Sequence, residues 1–186
     1  MRSVEAGNAN GSVVVNRAMS LDGFIAGPGD AMDWVAEFVP PDELREQAAA
    51  TGAMLVGRRT AEVGAKMEAE KPGSVDYPFS GPVFVLTHSP PEPADPEVTF
   101  LSGDIGEAVA TARSAADGKN LEILGAEVAG QCLRHGLVDE ILVYVLPVLL
   151  GDGIRFSPSG LPRVDLEPVS STQSGPVTIL RFRVRK

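Results

Sequence analysis

The chain has 186 residues, 16 Lys+Arg against 25 Asp+Glu for a formal net charge of −9, and 44% hydrophobic positions. That length suits one globular domain around a single core, and the acidic balance argues against a nucleic-acid partner, which calls for a basic face. The longest apolar run, 141–150, is interrupted by Pro147 and is shorter than the ~20 residues that span a bilayer, the lone Cys132 excludes an internal disulfide, and with only His88 and His135 no metal site is expected.

Residues 1–12 lack the apolar region of a signal peptide and read as a flexible polar leader, so a cytoplasmic protein with one domain over 13–186 is expected. Val13–Ser20 starts β-branched and reads as a buried first strand. Asp22-Gly23 breaks it, Phe24–Ala26 resumes it, and Gly27-Pro28-Gly29-Asp30 is a turn. Residues 42–50 have the punctuation of a helix, with Pro40-Pro41 before and Gly52 after. Residues 53–56 form a short buried strand running into Gly57-Arg58-Arg59-Thr60 and a helix to about Met67. A loop over 72–81, a strand over 82–87 closed by His88-Ser89-Pro90-Pro91, and a strand at Val98–Leu101 follow. Residues 104–116 place Ile105, Ala108, Val109 and Ala112 on one helical face. A strand at 121–124 turns through Gly125-Ala126 into a helix over 127–135, and 138–146 is the most apolar strand. After the loop Gly151-Asp152-Gly153, residues 164–171 and Val177–Val184 form an antiparallel hairpin around Gly175-Pro176. Alternating strands and helices predict an α/β fold with a mostly parallel central sheet flanked by helices on both faces, to which the hairpin adds antiparallel edge strands.

In such sheets ligands bind outside the carboxyl ends of the strands. Three turns there carry chemistry. In Gly57-Arg58-Arg59-Thr60 a glycine admits a ligand to the backbone, a helix N-terminus offers N–H donors, and an arginine supplies charge-assisted contacts to phosphate. Gly125-Ala126-Glu127-Val128-Ala129-Gly130 suits a pyrophosphate, although Glu127 stands where a Gly-x-Gly-x-x-Gly pattern has its second glycine. Thr87-His88-Ser89 offers hydroxyls and an imidazole to an adenosine ribose or its 2′-phosphate. Singly, these glycines only end strands; together the turns point to a nucleotide.

The run Ala18-Met19-Ser20-Leu21-Asp22-Gly23-Phe24-Ile25-Ala26 resembles the opening strand of the reductase domain of the bifunctional riboflavin-biosynthesis deaminase-reductase, which shares the dihydrofolate reductase fold. Gly57-Arg58-Arg59-Thr60 is similar to that superfamily's Gly-Arg-x-Thr turn, and Leu124-Gly125-Ala126 sits where it has a Gly-Gly or Gly-Ala turn. Gly136-Leu137-Val138-Asp139-Glu140 and Pro147-Val148-Leu149-Leu150-Gly151-Asp152-Gly153 match its late strand and glycine loop. The resemblance implies an NADPH-dependent reductase of a small heterocycle such as 5-amino-6-(5-phosphoribosylamino)uracil. A pterin such as dihydrofolate is the second substrate reading, and an NADPH-binding sensor without turnover is the reading from another class. It implies that Gly57, Arg58, Thr60 and, as a weaker candidate, Arg59 meet cofactor phosphates. Thr87, His88 and Ser89 would flank the adenosine, Gly125, Ala126, Glu127, Val128 and Ala129 the pyrophosphate, and the Ala18 backbone the nicotinamide. The family's pattern has a substrate-binding lysine where this chain has Asn16, and the deaminase's His-x-Glu and Pro-Cys-x-x-Cys are absent from this sequence. Pairing through 138–146 and the terminal hairpin, as family members tend to do, implies a homodimer.

Reduction leaves a negative atom that needs a proton. Asp22 is the first candidate for a substrate-orienting or proton-relay carboxylate, and otherwise a turn residue. Asp42, with Glu43 as alternative, stands where the dihydrofolate enzyme's carboxylate would fall, or else caps a helix. Trp34 forms part of a lid or anchors the core. Arg155 clamps a phosphorylated substrate or stays exposed, and Asn16, Ser20 and Gly153 complete the expected substrate contacts.

Overall fold

In the computed structural model residues 11–38, 41–73 and 77–186 are described. The elements are β1 (Val13–Ser20), β2 (Phe24–Ala26), α1 (Pro41–Ala50), β3 (Thr51–Gly57), α2 (Arg58–Glu70), β4 (Val83–Leu86), β5 (Val98–Leu101), α3 (Ile105–Ser114), β6 (Asn120–Leu124), α4 (Ala126–Arg134), β7 (Glu140–Leu146), β8 (Ile154–Arg155), β9 (Leu166–Ser174) and β10 (Val177–Val184). Short 3-10 turns lie at Pro28–Asp30 and Asp33–Val35. The main sheet runs β5-β4-β3-β6-β1-β7-β10-β9. Its first six strands are mutually parallel, and β10 and β9 add the expected antiparallel hairpin.

A parallel strand covered on both faces has no polar side, which is why Val13, Val14 and Val15 are all buried in β1. Val13 and Val15 pack with Ile105, Ala108, Val109 and Ala112 of α3 and Val128, Ala129 and Cys132 of α4. Val14 joins Trp34, Leu142, Tyr144 and Ile179 on the opposite face. The Asp104 carboxylate starts α3 by accepting from the N–H groups of Gly106 and Glu107 at 2.7 and 3.2 Å.

The structure departs from the sequence expectations in three places. Phe24–Ala26 does not resume β1: it pairs antiparallel with the unanticipated β8 in a separate ribbon. Gly153 (φ +135°) permits that crossing, because a Cβ there would collide with the Ala26 carbonyl. The apolar strand β7 lies inside the sheet between β1 and β10, so it offers no edge to a second copy; the exposed edge is β9, with Leu166 and Val169 at 37% and 49% exposure. The expected leader ends earlier than residue 12. Residues 1–10 lie outside the described residues, but Ser12 N donates to Asn120 Oδ1 (2.9 Å) and Arg113 Nη2 to the Gly11 carbonyl (3.0 Å). Among the described residues no helix is long and apolar enough to cross a membrane.

Candidate cofactor and substrate site

Strand register brings the three turns together. Leu86 pairs with Gly57, Val56 with Leu124, and Val15 with Ile123, so the ends of β4, β3 and β6 open along one edge, which β1 passes at Asn16 and Arg17. Gly125 has φ +90° and ψ 138°, and a Cβ there would run into Thr60 Oγ1. A Cβ on Gly57 would stand 3.1 Å from Val128 Cγ2. The first turns of α2 and α4 are therefore in contact, and glycines make the approach possible. Both helices start on a glycine without a side-chain cap. Their leading N–H groups stay available and their positive dipole ends add, which is a cradle for a diphosphate. These residues fit the diphosphate of a dinucleotide.

The side chains around the cradle differ in availability. Arg58 is exposed and pairs with Glu62 at 3.3 Å; Arg59 forks onto Asp30, with Nε–Oδ2 3.0 Å and Nη2–Oδ1 2.7 Å. Both line a shallow pocket of about 290 Å3 with Val63 and Lys66. Exposed ion pairs contribute only about 0–1 kcal/mol, so an arriving phosphate can take either guanidinium at small cost. Thr87 is buried and its Oγ1 accepts from Ser89 N (3.1 Å), which turns the chain and leaves His88 and Ser89 exposed. Glu127 faces solvent in the first turn of α4. Val128 and Ala129 are buried; Val128 can offer a ligand only its backbone, and the Ala129 N–H is already given to the Gly125 carbonyl at 3.2 Å. Ala18 is half-buried, in register with Tyr144.

The carboxylates behave differently from the catalytic expectation. Asp22 is held down to about 2, first by the Ser20 hydroxyl (2.7 Å) and then by the N–H groups of Gly151 (2.8 Å) and Leu150 (3.1 Å). Asp22 thereby straps the 150–151 loop, its carboxylate taken up by these three donors. That strap is present above the ordinary value of 3.8 and is lost as pH falls through about 2. Asp42 sits in the first turn of α1 with its side chain 90% exposed and paired to Arg45, and does not cap the helix; the alternative, Glu43, is half-buried, and after burial itself it helps raise the Tyr144 phenol.

The expected substrate residues are also redistributed. Ser20 is fully buried, since its Oγ also accepts from Phe24 N (2.9 Å), so it is closed to substrate. Trp34 is a core anchor, not a lid: it is 8% exposed, and its Nε1 donates to the Ala31 carbonyl at 3.0 Å. Gly153 is pressed against the β2 backbone. Arg155 remains exposed, with its guanidinium 4.7 Å over the Phe24 ring. Asn16 is buried, and its Nδ2 donates to Glu122 Oε1 at 2.9 Å.

Two buried charges went unflagged in the sequence. Glu122, 1% exposed on β6, accepts from Asn16, Thr51 Oγ1 (2.9 Å) and Tyr77 Oη (2.6 Å). Burial nevertheless pushes its carboxyl above the ordinary range, and burial together with Glu122 raises the Tyr77 phenol. Gln47 of α1 faces the same carboxyl, but its buried Nε2 makes no well-formed hydrogen bond. Arg17, on β1 beside the Gly125 turn, is 6% exposed. The signal for both was a charge inside a strand that reads as covered on both faces.

Comparison with known proteins agrees with this arrangement. The RibD C-terminal domain family matches residues 11–180. The Bacillus subtilis (strain 168) protein YwjB is 31% identical over 142 residues, covering 74% of this chain and 77% of that one. The crystal structure of a putative riboflavin biosynthesis protein from Shewanella sp. PV-4 superposes with a TM-score of 0.78 at 22% identity, over 94% of this chain and 99% of the other. Enterococcus faecalis dihydrofolate reductase complexed with NADP(H) and RAB-propyl superposes with a TM-score of 0.65 at 16% identity, over 95% of this chain and 98% of the other. Both superpositions report a shared fold.

Proposed function

The chain belongs to the RibD C-terminal domain family, and from that premise we propose that it is an NADPH-dependent reductase of a small heterocycle of the phosphoribosylaminopyrimidine type. The observation that carries this reading is the contact between the two uncapped helix starts at Gly125 and Thr60. The N–H groups of residues 58–60 and 126–128 would hold the diphosphate. Arg58 would take the 2′-phosphate, with His88 beside the adenosine, and the Ala18 backbone would meet the nicotinamide. Bound there, the cofactor supplies a hydride.

The chain's own task is to orient the substrate and manage a proton. Asn16, standing where the family carries a lysine, spends its amide on Glu122 and offers a substrate no cation at that point. Arg155 at the ribbon's surface is the group for a substrate phosphate. Asp22 is ionised and Asp42 faces solvent, so the proton is assigned to water entering the site. Asp42 faces solvent and does not supply the carboxylate expected for a pterin, whereas its alternative Glu43 is half-buried.

Adding NADPH together with the pyrimidine or with dihydrofolate, and following the near-ultraviolet absorbance of the reduced cofactor, tests the reading. Consumption with the pyrimidine alone supports it. Binding without turnover on either substrate would make the protein a sensor, and absence of NADPH binding would overturn the proposal. Arg58→Ala is expected to weaken NADPH about tenfold or more, the scale of one charge-assisted contact, while NADH changes little. Equal losses would remove Arg58 from the 2′-phosphate. A homodimer belongs to the same proposal, with β9 as the pairing edge, and a monomer in sedimentation at micromolar concentration would discard it.

A further inference from the structure

Arg17 is a buried cation without an anion. Its neighbours are two main-chain carbonyls: Nη2 donates to the oxygen of Gly125, and Nη1 to that of Phe156 at 3.3 Å. Its Cζ lies 5.4 Å from the centre of the Phe156 ring, and its Nε is buried without any partner. Glu122, the other buried charge among the described residues, cannot neutralise it. Arg17 shares a sheet face with Val13 and Val15, whereas Glu122 is in register with Val14 and faces the other way. Burial lowers the guanidinium to about 10, so it stays charged at neutral pH.

The placement is adverse in the protein alone. Gly125 is the residue on which α4 starts, and its carbonyl also accepts from Ala129 N at 3.2 Å. Arg17 thus adds a full positive charge at the positive end of a helix dipole, where an anion is favoured and a cation is not. An unpaired buried charge and an orphaned donor both work against stability. A sequence that breaks local rules in this way does so at functional sites.

We propose that Arg17 is a positioning residue for the cofactor's diphosphate. It pins the Gly125 peptide so that the first N–H groups of α4 face outward, and it sets a fixed positive charge behind them that the arriving anion neutralises. This inference rests on the NADPH reading above.

The test compares wild type with Arg17→Met and Arg17→Lys by calorimetric titration of NADPH, ADP-ribose and 2′-AMP, and by thermal melting without ligand. ADP-ribose carries the diphosphate; 2′-AMP carries the 2′-phosphate without it. Arg17→Met is expected to melt no lower than wild type, to bind NADPH and ADP-ribose about tenfold more weakly or worse, and to keep its affinity for 2′-AMP. Arg17→Lys, which keeps the charge but not the planar fork, falls between. Should Arg17→Met not fold, the lysine variant carries the same contrast between ADP-ribose and 2′-AMP. Unchanged ADP-ribose affinity, or equal losses for all three ligands with a lower melting temperature, would overturn the assignment. If wild type binds none of the three, the cofactor reading itself fails, and Arg17 with it.

Discussion

Gly125→Val is expected to abolish NADPH binding and to lower unfolding free energy by about 2–6 kcal/mol, from a backbone cost of ~1–3 and an overpacking cost of ~1–3. The first arises because φ +90° with ψ 138° is a glycine conformation. The second arises because the new side chain meets Thr60 Oγ1 and the α2 start cannot retreat without leaving β3. Gly103 provides the control. It also has a positive φ, +106°, yet a Cβ there meets nothing within 4 Å. Gly103→Ala therefore reads the backbone contribution alone, and Gly125→Ala should cost visibly more in urea unfolding. If the two alanine variants lose the same stability, the helix starts are not in tight contact, and the cradle is too loose for the role given to it.

The second large effect belongs to Glu122. Its folded-state pKa is raised above the ordinary 4.5, foremost by burial. A group shifted this way contributes stability that is complete below the unfolded value and is lost as pH climbs towards the folded one. Wild type is therefore expected to weaken as pH rises above 4.5, by up to about 1.4 kcal/mol per pH unit for the one proton involved. Glu122→Gln keeps an acceptor for the Tyr77 and Thr51 hydroxyls and cannot ionise, so this slope should flatten. Glu122→Ala should be far less stable at every pH, since Asn16 and Tyr77 lose their acceptor at about 1–3 kcal/mol for each donor left buried, while Thr51 keeps the Gln47 carbonyl at 2.8 Å. Chemical denaturation of the three proteins between about pH 5 and pH 8 decides it. Parallel slopes for wild type and Glu122→Gln would mean that the carboxyl is already ionised on folding.

Local sequence patterns foretold most of the architecture because the chain punctuates itself. Glycine and proline bracket the helices, and β-branched runs mark strands covered on both faces. The ribbon of β2 with β8 was not legible, because it depends on where Gly153 crosses Ala26, a meeting of segments far apart in the chain. The same holds for Asp22. Asp22-Gly23 signals a turn, but the amides that claim its carboxylate, Leu150 and Gly151, lie on a distant loop. The edge proposed for the cofactor was more readable, since the turns at Gly57 and Gly125 each carry a glycine and a helix start, and only their mutual contact needed the register. Arg17 and Glu122 show the opposite limit. Their letters stand inside strands already read as buried, so a charge had to be accommodated there, but which carbonyls and hydroxyls would accommodate it is a tertiary fact.

The position of β1 has a consequence for how the protein comes off the ribosome. Val13 lies beside Leu121 and Val14 beside Glu140, so β1 occupies the middle of the sheet between neighbours made more than a hundred residues after it. Nascent Val13-Val14-Val15 must wait as a sticky unpaired ribbon until β7 has emerged, because non-local pairing is rewarded only after the intervening chain has closed. During elongation β1 is therefore an aggregation hazard, and a chaperone that shields it until β7 is translated would protect the chain.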